Sequence, residues 1–353
     1  MDKYIGLDMD SNKTVACVIE SGKKDMYQTL GPDIASLRRF LHQQRCGGVK
    51  THVVFEISGQ AGFIYDSIID CADSVTVANP SKMTWIYRTA KKTDRVDARK
   101  MAVLLGIGEI PAVYMPSVQV RQWRQSILHR RTIVGKITAV KNRIRAMLKS
   151  RGYDKAAYRG SWWKVLNRQW MRQRADTTDL WCVGLTNLLD ELELHEKQLA
   201  TITKYLDSYL EKRADAKLVM TIPGIGPRTS EAVLAYTDDI HRFSTSKRYR
   251  SYFGVVPKID QSGNNFRMGH ISKQGPSVVR WLLCESSWKA VRKSPALKAF
   301  YERICNGDVR RKKIAMVAVC RKILCIMRAM LLTGELFNEL LVTKLCKEDT
   351  EAA

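Results

Sequence analysis

The first hundred residues alternate between short apolar strands and helices in an order that few folds share. Three strand-like segments, rich in β-branched residues and separated by polar turns, come first: Tyr4–Met9, Thr14–Glu20 and Asp25–Leu30. Helices and strands then alternate over Pro32–Gln44, His52–Ile57, Ala61–Cys71, Val75–Ala78 and Asp94–Leu105. This order predicts a mixed sheet that begins as a meander of three strands and continues through crossover connections.

Four carboxylates occupy related places in that order, which is the order of a ribonuclease-H-like domain. Asp8 lies inside the first strand and Glu56 near the end of the fourth, whereas Asp94 and Asp97 share one face of the last helix. In a ribonuclease-H-like layout the first strand is central, the fourth lies beside it, and the last helix packs across both. The four carboxylates are therefore predicted to converge at one edge of the sheet.

Carboxylates that converge repel each other unless a cation neutralises them, and hard oxygen ligands select Mg²⁺ or Mn²⁺. Two such ions can clamp the attacking and leaving oxygens of a phosphodiester. An aspartate within an apolar strand, such as Asp8, is costly without a role of this kind. The alternative is that Asp94 and Asp97 are surface residues paired with Arg95 and Arg99. No zinc is expected, because the nine cysteines and six histidines include no C-x-x-C or H-x-x-x-H pair.

Positive charge dominates the chain and is concentrated in one stretch. The formal net charge is +24, and Arg121–Arg174 contains sixteen Lys and Arg against one acid. Four of the eight tryptophans lie in that stretch: Trp123, Trp162, Trp163 and Trp170. Cations hold phosphates and flat rings stack on unpaired bases, so this stretch predicts binding of nucleic acid. The candidate contacts are Arg124, Arg130, Arg131, Lys141 and Arg145. The tryptophans could equally serve only to pack helices.

No segment is long and apolar enough to predict a transmembrane helix, and Met1–Asp10 lacks the layout of a signal peptide. We therefore expect no membrane partner and a cytoplasmic protein.

Heptad spacing predicts long helices after the first domain. One apolar seam contains Trp123, Ile127, Val134, Ile137, Ile144 and Leu148, and its helix ends at Gly152. A second seam contains Leu185, Leu188, Leu192, Leu199, Ile202, Leu206 and Tyr209. Together these seams predict a helical hairpin or coiled coil, in which His195 is a packing residue. The positions of the prolines then predict domains at 1–112, 113–215 and 216–340 with a tail at 341–353. The third domain is expected to be mainly helical.

Two further motifs lie in the third domain. Gly224 and Gly226 join two short apolar helices, which is typical of a helix-hairpin-helix motif that binds DNA backbone, although a plain helical turn has the same composition. Ser262-Gly263 lies in a polar loop, and several cations follow it: Arg267, His270, Lys273 and Arg280. A serine near cations could attack a phosphodiester, but from the residues alone ordinary turn composition explains this loop better.

Taken together, these segments resemble the DEDD-type transposase family of bacterial insertion sequences, insertion sequence family one-ten, which includes the bridge-RNA-guided recombinases. The matching segments are YIGLD at 4–8, FEISG at 55–59, KTDRVDARKMA at 92–102, IPGIGPRTSEAVLAY at 222–236, YFGVVPKIDQSG at 252–263 and RMGHISKQGPSVVRWLL at 267–283. In one departure, Asp10 and Ser11 stand where the family often has a small residue and a lysine.

The resemblance implies a RuvC-like first domain that holds Mg²⁺ through Asp8, Glu56, Asp94 and Asp97, a coiled-coil insertion, and a transposase domain in which Ser262 is the nucleophile. It also implies DNA recombination through a phosphoserine link, with a non-coding guide RNA that pairs with donor and target DNA. Arg267, Lys273 and Arg280 are candidates for stabilising the phosphate. The resemblance further implies a homo-oligomer assembled as a dimer of dimers on DNA, in the cytoplasm and nucleoid of a bacterium.

Two other functions remain open at this stage. A metal-dependent nuclease or Holliday-junction resolvase would use the same four acids with Ser262 purely structural. A non-catalytic nucleic-acid scaffold would need no divalent metal.

Overall fold

The computed structural model describes residues 2–45, 48–83, 93–153, 161–175, 179–262 and 265–343. The chain divides into two compact units, Met1–Val118 and Gln119–Ala353. The further boundary predicted near residue 215 stays a prediction, and most of the predicted tail lies outside the described residues. The seven cysteines of the described part are all free thiols.

A six-stranded mixed sheet forms the centre of the first unit. Its strands are β1 (Asp2–Met9), β2 (Thr14–Glu20), β3 (Met26–Leu30), β4 (Lys50–Glu56), β5 (Ser74–Ala78) and β6 (Ala112–Val113). They lie in the order β3-β2-β1-β4-β5-β6. Strand β1 pairs antiparallel with β2 and parallel with β4, so β1 is central and β4 lies beside it, as predicted. The short edge strand β6 was not predicted; it pairs antiparallel with β5.

Helices cover both faces of this sheet. Helices α1 (Ile34–Gln44) and α2 (Ala61–Ile68) pack on the face that carries Ile5 and Leu7. Helix α3 (Asp94–Gly106) packs on the opposite face, where Val54 contacts Met101 and Leu104. Because side chains alternate along a strand, Gly6 and Asp8 of β1 both point to the α3 face.

Gly6 allows α3 to cross β1 at close range. A Cβ atom at Gly6 would lie 2.0 Å from the carbonyl oxygen of Ala98 and 2.8 Å from the amide nitrogen of Ala102. The helix backbone therefore rests directly on the strand, and the first turn of α3 lies next to the carboxyl end of β1.

We expect Gly6→Ala to lower the free energy of unfolding by about 1–3 kcal/mol, because α3 must move away from β1. Urea denaturation at equilibrium measures this change. Gly135→Ala is the matched control, because no atom lies within 4 Å of a Cβ built at Gly135, in the middle of a helix. That control is expected to be neutral or to stabilise by up to about 1 kcal/mol. Equal effects of the two variants would contradict the close packing of α3.

Two long helices, α4 (Val118–Ser150) and α6 (Leu180–Glu211), dominate the start of the second unit, with α5 (Val165–Arg174) beside them. They run antiparallel, because Arg143 pairs with Glu191 while the ring of Trp123, earlier in α4, contacts Tyr209, later in α6. The predicted helical hairpin is therefore present.

One position of the predicted seams is wrong, because Val134 is 42% exposed and Ile133 is buried in its place. In α6, Leu188 packs against the core and Tyr209 against Trp123 as predicted, but the neighbouring Leu189 and Leu210 are more deeply buried. His195 is buried, and its Nδ1 lies 3.0 Å from Oε1 of Gln198, as expected of a packing residue.

The rest of the second unit is mainly helical. It contains α7 (Ala214–Val219), α8 (Pro227–Thr237), α9 (Ser246–Tyr252), α10 (Ser277–Lys293), α11 (Pro295–Cys305) and α12 (Lys312–Thr333). The one interruption among the described residues is a hairpin of β7 (Pro257–Ser262) and β8 (Asn265–Ile271). Among the described residues, no helix is long and apolar enough to cross a membrane.

Candidate active site and nucleic-acid interface

Asp8 and Glu56 lie side by side at the carboxyl ends of parallel strands. The pairing of β1 with β4 places Gly6 opposite Val54 and Leu7 opposite Phe55, so the next pair brings Asp8 beside Glu56. Adjacent strands are about 5 Å apart, so the two carboxylates leave the sheet close together on the α3 face. Both side chains are half-buried.

Asp94 and Asp97 occupy the first turn of α3, which the hydroxyl of Thr93 caps by accepting a hydrogen bond from the Val96 amide. Asp94 is half-exposed and its Oδ2 lies 2.6 Å from Nζ of Lys13. Asp97 is buried, and its nearest cation, Lys100 Nζ, is 3.9 Å from Oδ1.

In the part of the chain that the structure describes, Arg95 and Arg99 contact other residues and do not pair with these two aspartates. Arg99 Nε donates instead to Asp25 at 2.6 Å. The Arg95 guanidinium lies over the Tyr27 ring, 5.7 Å from its centroid.

The other three carboxylates act electrostatically on Asp8. Burial, together with the charges of Asp94, Asp97 and Glu56, raises the pKa of Asp8 to about 6. A smaller contribution comes from Asp10, whose own carboxylate accepts hydrogen bonds from the Asn12 and Lys13 amides in the turn after β1. The charged form of Asp8 is thus disfavoured, as expected where carboxylates gather without a cation.

The donor set fits a hard divalent cation. Oδ1 of Asp97 is buried and has no hydrogen-bond partner among the described residues, and a carboxylate oxygen in that state favours a positive neighbour. Within the described part of the chain, no three metal-ligating side chains already lie close enough to hold an ion. The carboxylates would therefore have to draw together around one.

Ser262 lies at the tip of the β7–β8 hairpin. It is the last residue of β7, is exposed, and pairs with Asn265 across the turn; the adjoining Gly263 lies outside the described residues. Asp260 pairs with Arg267 two positions further down the hairpin, so Ser262, Asp260 and Arg267 belong to one face of it. The sequence predicted a polar loop here, whereas the serine ends a strand.

The three cations proposed to assist Ser262 have different surroundings. Arg267 is exposed on the serine's face of the hairpin. Lys273 is exposed in the segment after β8, with a positive φ of 55°. Arg280 lies on α10, and its Nη1 donates to the carbonyl oxygens of Gln274 and Gly275 at 2.9 Å, so its guanidinium holds the base of the hairpin.

The glycine loop before α8 is packed on one side and open on the other. Gly224 has a φ of 85°, and a Cβ there would lie 2.5 Å from the amide nitrogen of Ala290, so α10 abuts this residue. Gly226 precedes α8 with no atom within 4 Å of a Cβ built on it. The loop thus leaves the start of α8 accessible at Gly226.

The basic stretch divides into residues that build the fold and residues that face outwards. Arg130 is 7% exposed and pairs with Glu231, which is fully buried. Arg124 donates to the carbonyl oxygen of Ala235 at 2.7 Å. Lys141 pairs with Glu196 at 3.2 Å. These contacts place Arg130 inside the fold, not on the exposed surface of the protein.

Arg131 and Arg145 are exposed, and each guanidinium lies 5.3 Å from a tryptophan ring centroid, that of Trp281 and that of Trp163 respectively. Among the tryptophans of the basic stretch, Trp123 and Trp162 are buried and serve packing. Trp281, which is 46% exposed, was not singled out from the sequence, because it lies more than a hundred residues beyond the basic stretch.

Comparison with known proteins places these features in one family. A model of DEDD transposases of the IS110 group matches residues 5–151, and a model described as "Transposase IS116/IS110/IS902 family" matches residues 216–302. The transposase for insertion sequence element IS1111A of Coxiella burnetii is 25% identical over 345 residues, covering 95% of this chain and 91% of the relative. The pilin gene-inverting protein of Moraxella lacunata is 23% identical, covering 95% of this chain and 98% of the relative.

The first match begins within β1 and includes all four acidic residues, and the second includes the glycine loop, Ser262 and all of α10. With relatives that align over nearly its whole length, these matches show that the chain belongs to the IS110/IS116/IS902 family of DEDD transposases.

Proposed function

We propose that this transposase cuts and rejoins DNA through a covalent bond to Ser262, with Mg²⁺ or Mn²⁺ at Asp8, Glu56, Asp94 and Asp97. The observation that carries the proposal is the cluster of carboxylates on one face of the sheet, in which a buried oxygen of Asp97 has no hydrogen-bond partner among the described residues. The strand order of the first unit supports a RuvC-like domain. A divalent cation bound there would offset the negative charge that develops on the phosphate during strand transfer.

In the proposed reaction, Oγ of Ser262 attacks the phosphorus of a phosphodiester and loses its proton. The bond from phosphorus to the leaving sugar oxygen breaks, and that oxygen gains a proton. A hydroxyl of a second strand then attacks the phosphoserine, which releases Ser262 and rejoins the DNA. One phosphate ester replaces another at each step, so the exchange needs no outside energy source. The exposed position of Ser262, with Arg267 on the same face, supports this role.

The nucleic-acid surface that we propose consists of Arg131, Arg145, Arg267 and Lys273, which are exposed, and of the accessible loop at Gly226. This loop, between α7 and α8, would bind DNA backbone as a helix-hairpin-helix motif does. We propose that a non-coding guide RNA occupies part of this surface, and that protomers assemble on DNA as a dimer of dimers in the bacterial nucleoid. The name of the Moraxella relative, an inverting protein, supports site-specific recombination.

Recombination by the protein–RNA complex tests this proposal. The protein, co-expressed with the DNA that flanks its gene, is expected to copurify with a discrete RNA and to recombine a matching DNA pair when Mg²⁺ is added. RNase treatment before the DNA is added is expected to abolish recombination, because the RNA selects the sequences. Undiminished recombination after RNase would remove the guide from the proposal, and recombination in the presence of a chelator would remove the metal.

A further inference from the structure

We propose that a small cavity in the second unit receives one unpaired base of the DNA substrate, which stacks against Trp281 and accepts a hydrogen bond from Arg130. This inference rests on the proposed function only in taking DNA as the substrate. It assigns a binding site to residues that belong neither to the carboxylate cluster nor to the serine hairpin.

The cavity has a volume of about 280 Å³ and lies among α4, α6, α8 and α10. Its walls are largely apolar, formed by Ile127, Val134, Leu199, Val278 and Leu282. This volume is at the lower end of the range for small-molecule pockets and suits one flat group, not an extended ligand. Val134, whose exposure contradicts the heptad pattern, is one of the residues at its mouth.

Arg130 lines this cavity, and one of its guanidinium nitrogens lacks an acceptor among the described residues. Arg130 is 7% exposed, and its Nη2 donates a hydrogen bond to Oε1 of Glu231. The other carboxylate oxygen of Glu231, Oε2, accepts a hydrogen bond from Nη1 of Arg228. Nη1 of Arg130 is buried and has no hydrogen-bond partner among the described residues. A buried guanidinium nitrogen left without an acceptor is costly, so an acceptor on a ligand in the cavity would be favoured once the Arg130 guanidinium turns towards it.

Trp281 offers a ring on which a base can stack, and Arg131 offers a cation for the phosphate of the same nucleotide. Trp281 lines the cavity and is 46% exposed, so part of its ring is available for stacking. The guanidinium of Arg131, also in the lining, lies 5.3 Å from the centroid of that ring and is exposed to solvent. A base on the tryptophan would therefore bring its phosphate near a cation.

An unpaired nucleotide matches this combination of features. Its base would pack against the apolar walls, stack on Trp281 and offer an acceptor to Arg130, and its phosphate would lie near Arg131. Enzymes that take a base out of a duplex hold it in the same way, by stacking and by hydrogen bonds to its edge. Strand exchange between duplexes exposes unpaired nucleotides, so the proposed reaction supplies the ligand. A bound base would also fix the register of the strand relative to α10.

The inference is tested by measuring the binding of three labelled duplexes of one sequence by fluorescence anisotropy. Mg²⁺ is left out so that the DNA is not cut during the measurement. The first duplex is fully paired, the second carries one unpaired deoxynucleotide, and the third carries an abasic sugar at that place. Wild-type protein is expected to bind the second duplex most tightly. The abasic duplex has the same bulged backbone, so any preference for the second over the third reports the base itself.

Trp281→Ala is expected to weaken binding of the second duplex on the order of 10-fold and to leave the other two nearly unchanged, because stacking on one base is lost. Val134→Trp, which fills the mouth without removing a cation, is expected to have the same selective effect. Trp288→Ala is the matched control, since Trp288 lies two turns further along α10, is similarly exposed at 39%, and is not part of the cavity lining.

Equal weakening of all three duplexes by Trp281→Ala, or no preference of the wild type for the base over the abasic sugar, would overturn the inference. Tighter binding of an unpaired ribonucleotide than of the deoxynucleotide would overturn the assignment to DNA. The formation of a protein–DNA adduct at Ser262 is measured separately, so a failure of the cavity and a failure of the recombination chemistry give different results.

Discussion

Ser262→Ala is expected to abolish the covalent protein–DNA adduct and to lower recombination by about 10⁴-fold or more, because the oxygen that would bond to phosphorus is gone. The measurement is a gel assay with suicide DNA, in which a nick next to the cleavage site lets the released strand diffuse away and traps the adduct. Ser262 is exposed at the tip of a hairpin, so its replacement is not expected to disturb folding.

Ser251→Ala is the matched control, because Ser251 is also exposed and lies in α9, shortly before the same hairpin. This variant is expected to form the adduct at the wild-type rate. Proteolysis of the trapped wild-type adduct should yield one peptide, containing Ser262, that carries a nucleotide. An adduct that still forms with Ser262→Ala, or a nucleotide found on another residue, would show that another side chain is the nucleophile. Cleavage by the wild type without any adduct would instead favour a metal-dependent nuclease.

The placement of Asp8 and Glu56 on one face of the sheet was predictable from the sequence, because strand periodicity is simple. An alternation of two fixes Asp8 on the face opposite Ile5 and Leu7 once those residues are buried, and the parallel pairing of β1 with β4 then brings Glu56 beside it. Gly6 is a further signal in the sequence, because a glycine inside an apolar strand often marks the close approach of another backbone. The backbone of α3 does approach β1 at this residue.

Helix seams were harder to predict at the level of single residues. Val134 and Ile133 are adjacent and equally apolar, and a helical repeat of 3.6 drifts against a pattern of seven, so composition does not decide which of them faces inwards.

The burial and the partners of individual cations were not predictable from the sequence either. The sequence predicted Arg130 as a nucleic-acid contact together with its neighbours, but it could not predict that Arg130 is buried against Glu231, 101 residues further along the chain. Arg280 likewise binds carbonyl oxygens at the base of the hairpin, which only the fold brings within reach. Charge density therefore predicted nucleic acid as the ligand, in agreement with a transposase that acts on DNA. It did not identify which cations are exposed.

Asp8→Asn is expected to lower recombination by about 10³-fold, since a cation at the carboxylate cluster contributes several kcal/mol to a phosphoryl-transfer transition state. The same change removes one charge from a group of mutually repelling carboxylates. In a chelator, the variant is therefore expected to melt at the same temperature as the wild type or higher. Recombination is measured with Mg²⁺, and melting is measured by calorimetry with and without it.

Mg²⁺ itself provides the second readout. A ligand that binds only the folded state stabilises it in proportion to the logarithm of its concentration, so Mg²⁺ should raise the melting temperature of the wild type. Asp8→Asn should lose most of that rise, whereas Asp10→Asn should keep both the rise and recombination, because Asp10 is exposed and an asparagine oxygen can accept the same turn hydrogen bonds. If Asp8→Asn melted well below the wild type in chelator, Asp8 would be a structural residue. If Mg²⁺ stabilised that variant as much as the wild type, the cation would bind elsewhere, and lost recombination would then have to be explained without it.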